Sequence, residues 1–331
     1  MSGCGKERIG VVGALACALA LVLGLAGCAQ GQGSTSSTQP QASPASSASA
    51  EKPAPTAEIA NVTTVAYLGP AGTYTEEAAR LFFGGNDEMM PQATVADALA
   101  LVAEGKAAYA VIPQENTLGG PVTDYIDAFL AADNVRVVGE VVLPIRQTLM
   151  GRAGTDLSKV TRVLSRKQGL AQSAAWLDKN LPNAERVEAS STAAAAREVA
   201  EGGDNTVVAI AAPGAANLYQ LEVLQENVSQ TEANKTRFYV VSKQANKLPG
   251  YECAVFAART AADKLPGMLD ASCPEGTKLA YVHDRPEKSA LGMYRYVIEL
   301  ERENGFSDEE ISRLEGIDGL EYLGRYSRIE G

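Results

Sequence analysis

The sequence predicts an α/β fold with mostly parallel sheets, and three observations predict it. Short apolar runs recur from Thr63 onward. A Gly- or Ser-containing loop follows each run. A helix-like segment then follows each loop, and strands that alternate with helices in this way form parallel sheets.

The first such phrase is "TTVAYLG", then "PAGTYT", then "EEAARLFFG". The second is "AAYAVIP", "QENTLGGP" and "VTDYIDAFLAA". The third is "VTRVLS", "RKQG" and "LAQSAAWLDKNL". "AERVEAS" then precedes "STAAAAREVAEG", whose alanines favour a packed helix, and "TVVAIAAPGAANLYQLEVL" repeats the pattern. In "NKTRFYVVSK", Phe238, Tyr239, Val240 and Val241 supply strand-forming residues. Asn234, Lys235, Thr236 and Arg237 form a polar mouth to that strand.

Ligands of such sheets bind beyond the carboxyl ends of the strands. The loops there lead into helix N-termini, whose free N–H groups and dipole attract anions. Gly72-Thr73, Asn116-Thr117, Gln168-Gly169 and Ser191-Thr192 are therefore expected to converge on one anionic ligand. Each also has a local role, since Thr75 and Ser191 are good helix caps. Arg146, Arg166, Lys167 and Arg237 are candidate carboxylate partners.

The chain has 331 residues, is 46% hydrophobic and carries a net charge of −11. That charge argues against nucleic acid as a partner, which needs a basic face. His283 is the one histidine. A Ser-His-Asp triad or a Cys-His pair would have to be built on it, as would a multi-histidine zinc site. The chemistry is left to hydroxyls, carboxylates, amides, basic side chains and backbone N–H groups. No metal or cofactor is expected. None of the five cysteines forms a C-x-x-C pair. Cys253 and Cys273 are expected either to pair, if the protein is exported, or to be small buried thiols.

Lys6 and Arg8 precede an apolar run from Ile9 to Ala26, the pattern of a secretory signal. Leu25-Ala26-Gly27-Cys28 resembles the lipobox of bacterial lipoproteins. The resemblance implies a signal peptide over 1–27, lipidation of Cys28 and an extracytoplasmic location on the cell membrane. Residues 28–60 are rich in Ser, Pro, Gln and Ala and read as a disordered tether.

Six phrases occur in one order: "GPAGTYTEEAA", "YAVIPQENTLGGPV", "VLSRKQGLAQSAAWL", "SSTAAAAREVA", "AIAAPGAANLYQLEVL" and "NKTRF". This ordered set resembles the prephenate dehydratase family. The resemblance implies a two-lobed, periplasmic-binding-protein-like domain over 61–244. Its first lobe would be about 61–140 with 222–244, and its second about 141–221, with the site between them. It implies decarboxylating dehydration of prephenate to phenylpyruvate, a carbon–oxygen lyase reaction. Thr236 would serve the departing hydroxyl, with Asn116 and Thr117 in the catalytic group. Gly72, Thr73, Glu115, Gln168, Ser191, Thr192 and Arg237 would bind substrate. Strand alternation nevertheless turns Arg237 away from the face shared by Thr236 and Phe238.

The sequence departs from the family at Arg166 and Lys167, where histidine and proline are usual. It departs again at Gln147, often histidine, and at Pro121, usually serine. Residues 249–331 resemble an α+β ACT domain. That resemblance implies a homodimer and, at Pro266, Gly267, Met268, Leu269, Arg285 and Pro286, a phenylalanine effector site; Met268 replaces an alanine. Dimerisation alone is the alternative role of this region. The alternative for the whole chain is a membrane-tethered solute-binding lipoprotein that uses the same cleft without catalysis.

Overall fold

The computed structural model describes residues 64–84, 87–229, 231, 233–246, 251–270 and 273–330. The expected signal segment, Cys28 and the tether lie outside these residues.

The first sheet opens with β1 (Thr64–Leu68), α1 (Tyr74–Phe83), β2 (Glu88–Gln92), α2 (Val95–Ala103) and β3 (Tyr109–Asn116). A short β4 (Gly120–Pro121), α3 (Thr123–Ala131) and β5 (Arg136–Pro144) follow. β1 runs parallel to β2 and β3. β1 and the first half of β3 are continuous apolar runs because both sheet faces are covered there. Val65 and Tyr67 pack on the α1 side, whereas Ala66 faces the layer of α2 and α3.

The second sheet comprises β6 (Thr148–Gly151), β7 (Arg162–Ser165), β8 (Glu185–Glu188), β9 (Val207–Ala211) and β10 (Glu222–Gln225). Its helices are α4 (Lys167–Gln172), α5 (Ala174–Asn180), α6 (Thr192–Gly202) and α7 (Pro213–Tyr219). β7 is parallel to β8 and β9, and β6 runs antiparallel to both its neighbours, β9 and β10.

The chain then returns to the first sheet as β11 (Lys235–Ser242), which lies antiparallel between β3 and β5. The crossings are 145–147 and 226–234, later in sequence than expected. β5 continues to Pro144 because that residue still pairs with Lys235. β10 belongs to the second sheet because it pairs with β6. The two crossings are tied to each other: Ile145 N donates to Asn234 O at 2.8 Å and Val228 N to Gln147 O at 2.7 Å.

The C-terminal module runs β12 (Cys253–Ala261), α8 (Leu265–Asp270), β13 (Lys278–Pro286), β14 (Met293–Glu301), α9 (Asp308–Glu315) and β15 (Leu320–Tyr326). Its strands lie in the order β13-β14-β12-β15, a βαββαβ arrangement of the ferredoxin-like kind. Ser307 and Glu310 start α9 with a reciprocal capping box. This module is not appended through a bare linker. β15 and the short β16 (Arg328–Glu330) pair with β5, so the sheet continues from one into the other. Gly324 makes the junction: a Cβ there would lie 2.1 Å from Val137 O, a distance no side chain tolerates. Cys253 is buried and forms no bridge to Cys273. Burial pushes its thiol pKa up to about 12.

Candidate active site

A cleft of about 430 Å³ opens between the sheets, lined from both sides, a volume suited to one small ligand. The first-sheet wall carries Thr73, Asn116, Thr236 and Phe238. The second-sheet wall carries Arg166, Gln168, Gln172, Ser191 and Thr192.

β3 and β11 end side by side, with Thr236 directly opposite Asn116. Asn116 Nδ2 donates to Thr236 Oγ1 at 2.9 Å and to Asn234 Oδ1 at 2.8 Å. Asn116 Oδ1 accepts from the N–H groups of Leu118 and Gly119, each at 3.0 Å. The amide is thus held at both ends and its orientation is fixed. Thr236 Oγ1 accepts from Asn116, and among the described residues its own proton has no acceptor in the protein. That proton is available to the cleft.

The opposite wall is built on α6 and α4. Ser191 caps α6 by accepting from Ala194 N at 2.9 Å, which leaves the N–H groups of Thr192 and Ala193 at the helix start. Gln168 and Arg166 stand at the start of α4. Among the cleft residues Arg166 alone carries a formal charge. Buried Gln147 donates to Gln172 Oε1 at 2.9 Å. At the hinge, Tyr74 donates to Arg146 O at 2.8 Å. Burial, with Glu77 nearby, holds its phenol far above the ordinary range, so it stays neutral.

Thr236, Asn116, Thr73, Gln168, Ser191 and Thr192 therefore share one cleft. Four other expected site residues do not line it. Gly72 has its N–H on Glu76 Oε2 at 2.6 Å, so that N–H is not free for a carboxylate. Its value is conformational: φ is +82°, and a Cβ would press on Leu218 at 3.2 Å. Thr117 Oγ1 bonds the Lys235 backbone, donating to the carbonyl at 3.0 Å and accepting from the N–H at 3.2 Å. Glu115 and Arg237 occupy the opposite sheet face, facing the C-terminal module. The reason is the alternation of the strand, with Thr236 and Arg237 on opposite sides. The helix start also differs from expectation: Thr73, not Thr75, is the N-cap of α1, and Thr75 lines the cleft.

Gln172, Tyr74 and Tyr125 also line the cleft and were not legible as site residues. Tyr74 and Gln172 lie within the ordered phrases, but the phase of a helix, not its motif, decides which of its side chains reach the cleft. Of the effector-segment residues, Arg285 makes a bidentate pair with Asp127 of α3 at 2.6 and 2.7 Å. Pro266, Gly267, Met268 and Leu269 form α8, and Pro286 ends β13.

The family model described as prephenate dehydratase matches residues 65–246. The chain belongs to the prephenate dehydratase family. A prephenate dehydratase of Amycolatopsis methanolica is 32% identical over 278 residues, covering 82% of this chain and 90% of its own. Bifunctional chorismate mutase/prephenate dehydratases are matched over 67% and 66% of their length. The solved structure of prephenate dehydratase from Arthrobacter aurescens in complex with L-Phe superposes with a TM-score of 0.71 at 30% identity, covering 80% of this chain and 90% of that one. GqqA, described as a novel type of quorum quenching acylase, superposes with a TM-score of 0.69 at 26% identity, covering 80% and 98%.

Proposed function

We propose that this protein is a prephenate dehydratase, a lyase that eliminates water and carbon dioxide from prephenate to give phenylpyruvate, a step of phenylalanine biosynthesis. One observation carries the reading: Thr236 Oγ1 accepts from an immobilised Asn116 amide and keeps its proton for the cleft.

In the reaction the bond from ring to carboxylate breaks and its electron pair enters the ring. The ring C–O bond breaks in turn, and the hydroxyl leaves as water after gaining one proton. Hydroxide is a poor leaving group, so proton donation in the transition state is the assistance required. Thr236 supplies the hydrogen bond or proton. Asn116 stabilises the charge that develops on Oγ1, with no reorganisation cost at the moment of reaction. Arg166, Gln168 and the N-terminus of α6 bind carboxylate groups of the substrate from the other wall.

Amide cleavage, as performed by an acylase, suits this cleft less well. Its lining holds neither a histidine nor a carboxylate to serve as general base. The deciding experiment incubates residues 61–331 with prephenate and follows phenylpyruvate. Turnover by the wild type that is lost in Thr236→Val supports the reading. Ligand-induced thermal stabilisation without turnover favours the solute-binding alternative.

The C-terminal module is read as an ACT-like regulatory or dimerisation domain, supported by its βαββαβ order and by the L-Phe complex of the Arthrobacter relative. Titration with L-Phe and sedimentation of the protein test the two roles. Leu25-Ala26-Gly27-Cys28 supports an extracytoplasmic, lipid-anchored location; loss of fatty-acid labelling in Cys28→Ala tests it.

A further inference from the structure

Arg237 follows Thr236 in sequence and lies on the other side of the sheet, 7% exposed. Its Nη2 donates to Glu140 of β5 and to both oxygens of Glu299 of β14, at 2.8 and 2.5 Å. Tyr281 of β13 lies flat against the guanidinium, 3.6 Å from ring centroid to Cζ. Tyr326 donates to Glu140 at 2.7 Å and to Glu299 at 3.0 Å. Two strands of the C-terminal module thus hold one arginine of the strand that carries Thr236, and a third braces its two glutamates.

The free end of the fork points back to β3. Nη1 reaches Gln114 Oε1 at 3.4 Å and Glu115 Oε2 at 3.5 Å. These residues sit at an irregularity. Arg237 pairs with Glu115 but Phe238 with Pro113, so Gln114 is an extra residue on β3. Such bulges re-aim the side chains beside them, and the next pair along is Asn116–Thr236.

We propose that Arg237 is a positioning residue: held by Glu299 and Tyr281 of the C-terminal module, it fixes the β3 bulge and so sets the geometry of the Asn116–Thr236 pair. The proposal rests on the reading of the cleft as the elimination site. An arginine suits the task because its planar fork holds several acceptors at once. A buried guanidinium that loses a carboxylate must move to recover a partner. Its movement displaces Gln114 and Glu115. Small displacements of reacting groups cost rate without weakening binding.

The test uses the full-length protein with Glu299→Gln and Tyr281→Leu. Glu299→Gln keeps the shape and replaces one of the two oxygens that accept from Arg237 with an amide NH2 that cannot. The expected result is a kcat loss of about ten- to a hundredfold with KM for prephenate changed by less than about twofold. Amide exchange should quicken over 114–118 and 234–237 while β7 and β9 stay as in the wild type. Tyr281→Leu leaves both buried carboxylates on Arg237 and should show the same pattern more weakly; it decides the matter if Glu299→Gln does not fold. A lowered melting temperature with unchanged kcat overturns the proposal, because the cluster then serves stability alone. Quickened exchange spread evenly through both sheets overturns it as well. A wild type that does not turn over prephenate sinks the functional reading instead. The exchange pattern still judges the clamp, and no local quickening in either variant refutes it.

Discussion

The two faces of β11 solve opposite problems. The cleft face presents the Thr236 hydroxyl beside the Asn116 amide of β3, both uncharged, and among the described residues the hydroxyl proton has no acceptor in the protein. The far face concentrates full charges where water is excluded: Glu140 is 0% and Glu299 1% exposed. Burial alone would raise the Glu140 pKa, but Arg237, Arg328 and the Tyr326 hydroxyl outweigh it and hold it low. Glu299 is raised by its burial and by Glu140 beside it, in spite of Arg237. The contrast teaches a division of labour. On β11 and β3 uncharged donors face the cleft, where the proposed reaction develops charge only in the transition state. Permanent charges brace, because a buried ion pair penalises every arrangement that separates it.

The comparison breaks first at Thr236. Thr236→Val should cost about 10²- to 10⁴-fold in kcat, the usual worth of a positioned proton donor. Its melting temperature should stay near that of the wild type. A large stability loss would mean that the cleft face is structural too.

On the other face, Glu140→Ala should act in the reverse sense. It leaves Arg237 and Arg328 without their shared carboxylate, and chemical denaturation should show a loss of about 3–5 kcal/mol. Retained stability would show that the charges do not brace the sheet.

Arg166→Gln sharpens the cleft side. An exposed cation that binds a carboxylate should be replaced at a cost of about tenfold in KM, with kcat little changed. Arg166→Lys should recover part of it. Gly72→Ala probes the backbone of the first-sheet wall. At φ +82° it should destabilise by about 1 kcal/mol, read from thermal melting.

The smallest effect is on pH. His283 is buried on the charged face, 4.0 Å from Glu115 Oε2. Burial lowers its pKa, and Glu115 only partly opposes that. The unfolded chain therefore takes up this proton at higher pH than the folded one. Stability from the neutral ring is complete above about pH 6.5 and falls as pH drops toward the lower folded value. With one histidine in the chain, a single imidazole NMR resonance reports it, and a midpoint at or above the ordinary value would contradict the burial.

Much of this was legible in particular residues. Alternating runs marked β1, β3, β7, β8, β9 and β11, because a half-repeating apolar pattern is local. β2, α2, β5 and β6 carried no such mark, and the lobe boundaries came out early because pairing partners, not composition, decide where β5 and β10 belong. The loops bearing Asn116, Gln168 and Ser191 were readable since each closes a strand and opens a helix. Gly72, Thr117 and Glu115 were assigned to the cleft by motif proximity and lie outside it, because adjacency in sequence is not adjacency in space; strand alternation already turned Arg237 away.

The sequence by itself determined the α/β alternation, the family and the hydroxyl at Thr236, since these depend on local propensity and on ordered motifs. It also fixed that Thr236 and Arg237 point apart, which follows from the two-residue period of a strand. Only the tertiary structure decided what lies on each side. Gly324 lets β15 approach β5, and that close approach brings Glu299 and Tyr281, distant in sequence, onto Arg237. Such contacts depend on backbone packing across long loops, and no local pattern in the chain encodes them.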